Sequence, residues 1–241
     1  MSGHPLLLSH RTQMGTCPEN TLAGIHAAIA AGVDGIEVDV RAARDGTPML
    51  LHDAVLSRST GDPRLLAEVT PAAARYLRVR QPDGSAGDEG VPTLAAALEA
   101  VAGQCLLVLE VKEPGVAAAI ARRVRAARAA EWCWTWSFLP DVVEEMRGAL
   151  PEVPAALLVA SPTPVDRAIA TAVRLGAVGV SINHALIDDS VAESAARRGL
   201  ALFTWTVNSA AEARRMRALG VSALCSDFPD RVERAYRRPL R

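Results

Sequence analysis

The stretch EVDVRAARDGTPMLLHDA, from Glu37 to Ala54, places two carboxylates inside a run that otherwise predicts a buried strand. Glu37 and Asp39 are two residues apart, so their side chains project from the same face of a strand. A second apolar run follows and ends on the pair His52-Asp53. Because unpaired carboxylates are costly to bury, their presence in a core strand predicts a functional site at its end.

The sequence around this stretch alternates short apolar runs with amphipathic helical segments. Eight predicted strands, each followed by a predicted helix, are typical of a (β/α)8 TIM barrel, an α/β fold. The strands are predicted over residues 5–9, 35–40, 105–112, 132–137, 154–160, 177–182, 200–207 and 221–226. The length of 241 residues also suits such a barrel. A doubly wound sheet is the alternative, although that fold more often has fewer strands.

One region interrupts the alternation of strands and helices. Residues 53–92 are rich in Gly, Pro, Ser and Asp, and they follow a hairpin whose turn is predicted at Asp45-Gly46. We interpret this region as an insertion with a short helix near residues 71–76. The insertion is predicted to belong to a single domain that covers residues 1–241.

The composition excludes several classes of partner. The formal net charge of −1 gives no overall field that would attract nucleic acid or an anionic membrane. No apolar run approaches the roughly 20 residues of a membrane span, and the N-terminus lacks the basic segment of a secretory signal. We therefore predict a cytoplasmic protein that acts on a small molecule, without stable membrane insertion and with its oligomeric state open. The four scattered cysteines predict reduced core thiols rather than a zinc site.

Polar residues collect where the predicted strands end, which is the face of a (β/α)8 barrel that carries active sites. His10 and Arg11 follow the first strand, and Glu110 and Lys112 end the third. Trp205 lies at the end of the seventh strand. Several strands are therefore expected to deliver ionisable or aromatic groups to one rim.

Three carboxylates from consecutive strands, those of Glu37, Asp39 and Glu110, are expected to converge at this rim. Carboxylate oxygens are the preferred ligands of hard divalent cations. The sequence therefore predicts a site for one Mg²⁺ or Ca²⁺ ion. The alternative is a set of structural ion pairs, such as Glu110 with Lys112 or Asp39 with Arg41.

Two histidines and two basic side chains complete the predicted site. His10 and His52 titrate near neutrality, so they suit general acid and base catalysis. Arg11 can bind a phosphate oxygen through two donors. Lys112 is the only lysine among 26 basic residues. Either a tight site needs a compact ammonium at this position, or the lysine is there by chance. Together these groups predict the cleavage of a phosphate ester.

Ordered motifs along the chain resemble those of the glycerophosphodiester phosphodiesterase family. Each motif alone is weak, whereas the ordered set is specific. The motifs are His10-Arg11, Pro18-Glu19-Asn20-Thr21, Glu37-x-Asp39, His52-Asp53, Glu110-x-Lys112, WSF at 136–138, WTVN at 205–208 and SDFP at 226–229.

This resemblance implies a (β/α)8 barrel with a small insertion after the His-Asp motif. It implies hydrolysis of a glycerophosphodiester to sn-glycerol 3-phosphate and an alcohol, with one divalent cation held by Glu37, Asp39 and Glu110. It also implies catalysis by His10 and His52, phosphate binding by Arg11 and Lys112, support from Glu19 and Asn20, and a pocket wall at Trp205.

Thr12 departs from the family pattern, which usually has glycine after the His-Arg pair. Glycine permits unusual backbone angles and close approach of a ligand, whereas threonine restricts both, although its hydroxyl can donate a hydrogen bond. The catalytic groups are intact, so the departure bears on the substrate more than on the reaction. The insertion contains few aromatic residues, which slightly favours small, soluble diesters over lipids.

Two alternatives to glycerophosphodiester hydrolysis stay open in the sequence. The first keeps the fold and the metal but changes the substrate to a lysophospholipid or a sphingomyelin-type phosphodiester. The second is a phospholigand-binding barrel without catalysis. The intact His10 and His52 argue against the second alternative, because a binding protein needs no acid and base.

Overall fold

Eight parallel strands close into a barrel in the computed structural model, which describes residues 4–236 and the side chains as far as residue 233. The strands in this part of the chain are β1 (Leu6–Ser9), β2 (Gly35–Ala42), β3 (Pro48–Leu50), β4 (Arg78–Arg80), β5 (Ala86–Gly90), β6 (Leu106–Val111), β7 (Cys133–Ser137), β8 (Ala155–Val159), β9 (Gly179–Asn183), β10 (Ala201–Trp205) and β11 (Ala223–Ser226). The barrel order is β1-β11-β10-β9-β8-β7-β6-β2, and β2 returns to β1 to close the ring. Every one of these pairings is parallel, which confirms the predicted (β/α)8 barrel. The ends of the predicted domain, residues 1–3 and 237–241, lie outside the described residues.

Most of the helices follow barrel strands and form the outer layer. Those of the described chain are α1 (Leu22–Ala30), α2 (Ser57–Thr60), α3 (Pro71–Ala74), α4 (Leu94–Val101), α5 (Ala117–Ala126), α6 (Pro140–Ala149), α7 (Val165–Leu175), α8 (Asp189–Arg197), α9 (Ala210–Ala218) and α10 (Pro229–Tyr236), with 3₁₀ turns at Leu66–Glu68 and His184–Leu186. None of the helices formed by residues 4–236 combines the length and the apolar character that crossing a bilayer requires.

The start of α1 leaves one polar side chain at the rim of the barrel. The Thr21 hydroxyl caps the helix by accepting a hydrogen bond from the Gly24 N–H at 3.1 Å. Asn20 stays outside the helix with a positive φ of 56°, a conformation that asparagine tolerates better than most residues. The Asn20 amide is therefore available to groups on β2 instead of to the helix.

Strand β2 extends beyond its predicted end at Val40 and runs to Ala42. The extension is paired antiparallel with β3, with Val40 opposite Leu50 and Ala42 opposite Pro48, which is the predicted hairpin. Within the barrel, β2 pairs with β6 in a register that sets Asp39 beside Glu110. The acidic residues of β2 therefore lie within the strand, not at its last residues.

The barrel interior and the helix layer are both packed with apolar side chains. The interior residues are Leu8, Val108, Trp136, Ala156, Leu158, Phe203, Ala223 and Cys225. The ring of Phe203 stacks on Trp136 with 5.5 Å between the centroids. Alternate residues of β2 and β6, such as Val38 and Leu109, belong instead to the core shared with α1, α4 and α5. Asp39 and Glu110 follow these residues in sequence, so they point to the inside of the barrel.

Residues 53–92 lie between β3 and α4 and carry secondary structure of their own. They contain the predicted short helix, which is α3, and also α2 and the β4–β5 hairpin, which the polar composition did not predict. The apolar cluster beneath them comprises Ala43, Met49, Leu51, Leu56, Leu66, Val69, Ala74, Val79 and Val91. The insertion therefore packs on the β3 side of the barrel mouth, next to His52.

Candidate active site

Three buried carboxylates meet at the rim between β2 and β6. Glu37, Asp39 and Glu110 each offer one oxygen atom, and these atoms lie within 4.8 Å of one another. Their residues are 2%, 0% and 8% exposed. The parallel register of the two strands produces this proximity, because Asp39 is paired directly with Glu110. The structure thus brings together the three residues that the sequence predicts as metal ligands.

Asn20 and Arg11 hold two of these carboxylates in place. The Asn20 side-chain amide donates to Asp39 Oδ2 at 2.7 Å, and its carbonyl accepts from the Asp39 N–H at 2.9 Å. The Arg11 backbone N–H donates to Glu37 Oε2 at 2.9 Å. Arg11 Nε lies 3.5 Å from Asp39 Oδ2. Among the described residues, none donates a hydrogen bond to the buried Glu37 Oε1. This oxygen could therefore coordinate a metal ion.

Lys112 lies between carboxylates of two strands. Its Nζ is 2.8 Å from Asp39 Oδ1 and also contacts Glu110 Oε1. Burial lowers the pKa of Lys112, but the charges of Asp39 and Glu110 outweigh burial, and the net effect is a raised pKa. Lys112 therefore stays an ammonium ion. Arg41, the other predicted ion-pair partner of Asp39, pairs instead with Glu113 at 2.9 Å.

The electrostatics of the acidic trio fit a divalent cation. Burial and the neighbouring charge of Asp39 raise the pKa of Glu37 and that of Glu110. Burial also raises the pKa of Asp39, but the charges of Lys112 and Arg11 outweigh it and lower that pKa. Carboxylates held this close in a buried site repel one another, and a hard cation that takes oxygen ligands relieves the repulsion.

His10 follows β1 and is held by a carboxylate from the opposite end of the chain. Its Nδ1 lies 2.6 Å from Asp227 Oδ1, and its Nε2 lies 3.9 Å from Glu37 Oε2. Burial lowers the pKa of His10, but the hydrogen bond to Asp227 and the charge of Glu37 outweigh it, so the pKa is raised. The ring therefore presents Nε2 to the acidic trio.

His52 has a similar arrangement on the insertion side of the rim. Its Nδ1 lies 2.6 Å from Asp53 Oδ1, and its backbone carbonyl accepts from Arg41 Nε at 2.8 Å. Asp53 in turn accepts a hydrogen bond from Arg58 Nε. Burial, with the positive charges of Lys112 and Arg11, lowers the pKa of His52 despite the opposing charge of Asp39. In both histidines Nδ1 is engaged by a carboxylate, which leaves Nε2 to a substrate.

Glu19 links the insertion to the rim. It lies 3.3 Å from Arg11 Nη1 and 2.6 Å from Arg58 Nη2. The carboxylate therefore fixes the guanidinium of Arg11 from one side while Asp39 lies on the other. Glu19 and Asn20 contact Arg11 and Asp39 respectively, and their supporting role stays a prediction of the family resemblance.

A cavity of about 230 Å³ opens over these groups. Its lining comprises His10, Arg11, Glu37, His52, Glu110, Lys112, Trp136, Phe138, Leu158, Trp205, Thr206 and Cys225. One side is charged and the other is largely apolar. On the apolar side Phe138 meets Trp205 edge to face at 5.5 Å between centroids. Trp205 Nε1 donates to the Ser181 carbonyl at 3.2 Å, which fixes the indole as a wall.

Thr12 adopts the backbone conformation that favours glycine, with a φ of +74°. Its N–H donates to the Glu37 carbonyl at 2.9 Å, and its side chain is fully buried. The hydroxyl packs on Gly24 of α1, where an added Cβ would lie 2.1 Å from Oγ1. The Thr12 side chain thus faces the helix layer, and it does not line the cavity.

The structure adds residues to the site that sequence reasoning did not assign. Asp227, Asp53 and Arg58 contact the histidines directly or through one partner, and Phe138 lines the cavity. Asp53, Phe138 and Asp227 lie in motifs that the resemblance had already singled out. Arg58 had no such signal, because it lies in the insertion.

The buried carboxylates, the two histidines and the basic side chains meet at the strand ends where (β/α)8 barrels carry their active sites. The chain belongs to the glycerophosphoryl diester phosphodiesterase family, whose family model matches residues 10–231.

Comparison with individual proteins agrees with this membership. The chain is 30% identical to the Mycobacterium tuberculosis protein named "Probable glycerophosphodiester phosphodiesterase 1", over 97% of this chain and 93% of that protein. It is 25% identical to a glycerophosphodiester phosphodiesterase of Caldanaerobacter subterraneus, over 97% of this chain and 98% of the relative. Among solved structures, an Oleispira antarctica phosphodiesterase in complex with the product sn-glycerol-3-phosphate has a TM-score of 0.86 and 25% identity, and it matches 97% of each chain.

Proposed function

We propose that the protein hydrolyses glycerophosphodiesters to sn-glycerol 3-phosphate and an alcohol, with a divalent cation and two histidines. The observation that carries this proposal is the convergence of three buried carboxylates within 4.8 Å beside two carboxylate-bound histidines. Glu37, Glu110 and both histidines line the same cavity. Family membership and the similarity to a phosphodiesterase bound to sn-glycerol-3-phosphate support the reaction and its product.

Glu37, Asp39 and Glu110 would hold one Mg²⁺ or Ca²⁺ ion in this proposal. The fit rests on three oxygen donors, on the buried Glu37 Oε1 that lacks a hydrogen bond, and on the mutual repulsion of the three acids. When bound, such an ion would stabilise negative charge on a phosphoryl oxygen. A non-catalytic cluster of ion pairs explains Lys112 but leaves the Glu37 oxygen without a role.

Arg11 and Lys112 would bind the phosphate. Both line the cavity, and both remain positively charged, because neighbouring carboxylates raise the pKa of each despite burial. The guanidinium of Arg11 is oriented by Glu19, and the ammonium of Lys112 is oriented by Asp39 and Glu110. Basic groups that are fixed before the substrate arrives stabilise developing negative charge without reorganising.

His10 and His52 would move the protons of the reaction through Nε2. Each ring is anchored at Nδ1 by a carboxylate, so Nε2 is the nitrogen that faces the cavity contents. One histidine accepts the proton of the attacking nucleophile, and the other donates a proton to the departing oxygen. A protein that only binds phosphate esters needs neither anchored ring.

The cavity supports a small diester as the substrate. The cavity measures about 230 Å³ and charged groups line one side of it, which favours the phosphate and glycerol groups of a small diester. The tail of a lysophospholipid would extend past Phe138 and Leu139, which are 39% and 41% exposed. A cytoplasmic location and a single domain over residues 1–241 remain predictions from the sequence.

One assay separates the three candidate activities. The protein is incubated with glycerophosphocholine or lysophosphatidylcholine, with Mg²⁺, Ca²⁺ or EDTA, and released glycerol 3-phosphate and choline are measured. We expect glycerol 3-phosphate from the first substrate only, and EDTA should abolish its release. Turnover of the lipid alone would instead favour the lysophospholipid alternative, and binding without turnover would favour a non-catalytic barrel.

A further inference from the structure

Two motifs of the sequence each contain a polar residue whose part in the reaction has not been described in full. WTVN ends with Asn208 after β10, and SDFP contains Asp227 after β11. Strands β10 and β11 are neighbours in the barrel, and β11 also pairs with β1, which leads into His10. The barrel closure therefore brings the ends of three adjacent strands to one place at the rim.

The side chains of these residues form a continuous chain of hydrogen bonds. Asn208 Nδ2 donates to Asp227 Oδ2 at 2.7 Å. The other carboxylate oxygen, Asp227 Oδ1, lies 2.6 Å from His10 Nδ1. Both oxygens of Asp227 are thus engaged, one by the amide and one by the imidazole.

The backbone around Asp227 is also fixed. Asn208 Oδ1 accepts from the Asp227 N–H at 2.9 Å, so one amide group holds the backbone and the carboxylate together. The Gly15 N–H donates to the Asp227 carbonyl at 3.2 Å, and the His10 N–H donates to the Ser226 carbonyl at 2.9 Å. A side chain at Gly15 would meet that carbonyl, because an added Cβ would lie 2.3 Å from it.

The position of Asp227 distinguishes it from a surface ion pair. The side chains of His10 and Asp227 are 14% and 20% exposed, so water does not compete strongly for their contact. Exposed ion pairs, in contrast, contribute little and seldom fix a geometry.

We infer that Asp227, held by the Asn208 amide, is a positioning residue for His10. The carboxylate accepts the Nδ1 proton of the imidazole, fixes the ring about its χ angles, and so directs Nε2 to the cavity. This inference rests on the proposed catalytic role of His10. The amide of Asn208 acts one step further away, by keeping the carboxylate aligned.

The variant Asp227→Asn tests the inference with almost no change of shape. The new amide would accept from Asn208 Nδ2 through its oxygen, and its NH₂ group would then face His10 Nδ1. A donor at this place favours the neutral imidazole tautomer with the proton on Nε2, and that nitrogen can then no longer accept a proton. The same donor disfavours the imidazolium ring, from which Nε2 would donate a proton. We expect kcat for glycerophosphocholine to fall by about 10²-fold or more, with KM changed by less than about threefold.

Spectroscopy provides a readout that a merely structural role would not move. The ¹⁵N chemical shifts of the His10 ring identify the protonated nitrogen, and we expect Asp227→Asn to move the proton from Nδ1 towards Nε2. Asn208→Ala should change the same ¹⁵N shifts to a smaller extent and lower kcat by about tenfold. Asp230→Asn, which removes an exposed carboxylate three residues away, is the matched control and should match the wild type.

The outcomes separate this inference from the proposed function. If Asp227→Asn keeps kcat within about threefold, or leaves the His10 shifts unchanged, while His10→Ala loses turnover, the positioning role of Asp227 is wrong and the reaction stands. If His10→Ala retains turnover, the proposed function itself fails. If Asp227→Asn does not fold, Asn208→Ala decides by the same two readouts.

Discussion

Replacing the single lysine by arginine tests whether the site needs a compact ammonium. Lys112 Nζ contacts Asp39 at 2.8 Å and Glu110 from one point between two strands, and its side chain is 10% exposed. A guanidinium spreads its donors over a plane, so it cannot place one nitrogen between both carboxylates in the same volume.

The expected size of the effect follows from the two contacts. A hydrogen bond between charged groups contributes about 1.5–3 kcal/mol, and about 1.4 kcal/mol corresponds to a tenfold change. Loss of one of the two contacts in Lys112→Arg should therefore lower kcat/KM by about 10–100-fold. The larger head group should also lower the free energy of unfolding by about 1–3 kcal/mol through overpacking.

Initial rates of glycerol 3-phosphate release from glycerophosphocholine, at saturating Mg²⁺, measure the first effect, and urea denaturation measures the second. Arg122→Lys, at an exposed position of α5, is the matched exchange of the same two residue types and should leave both values unchanged. A rate for Lys112→Arg within about threefold of the wild type would show that only the charge at this position matters.

Three further predictions follow from the site and its surroundings. His10→Ala and His52→Ala should each lower kcat by about 10²–10⁴-fold in the same assay, the usual scale of general acid–base catalysis, and near wild-type rates would disprove the assigned roles. Gly24→Ala should destabilise the fold by about 1–3 kcal/mol in denaturation, because an added Cβ would lie 2.1 Å from Thr12 Oγ1, and unchanged stability would contradict that packing. Burial raises the pKa of Asp53, but its hydrogen bonds outweigh burial and lower the pKa to about 2. Folding depresses this pKa, so the ionised Asp53 stabilises the protein at pH values above the pKa that the residue has in the unfolded chain. This contribution is lost as the pH falls from about 4 to about 2. Asp53→Asn should flatten the stability curve in this window, and identical curves would count against the contact.

The acidic trio was predictable from sequence because it depends on local periodicity and on the order of two strands. Glu37 and Asp39 share a face by their spacing, and Glu110 lies on the next barrel strand along the chain. Parallel pairing of consecutive strands then leaves little freedom in where these carboxylates meet.

The partners of His10 and of Asp53 were not predictable in the same way. Asp227 lies 217 residues from His10, and only closure of the barrel between β11 and β1 makes them neighbours. Arg58 reaches Glu19 and Asp53 from the insertion, whose short elements carry almost no periodic signal. The side-chain direction of Thr12 likewise depends on packing against Gly24, which the local sequence does not encode.

One divalent cation is expected to bind where the three buried carboxylates converge. Anomalous diffraction from crystals grown with Mn²⁺, an ion that prefers oxygen ligands, and sn-glycerol 3-phosphate locates the ion directly. We expect one anomalous peak in contact with oxygens of Glu37, Asp39 and Glu110, with the phosphate beside it. A peak elsewhere, or bound phosphate with no ion among these three carboxylates, would contradict the account.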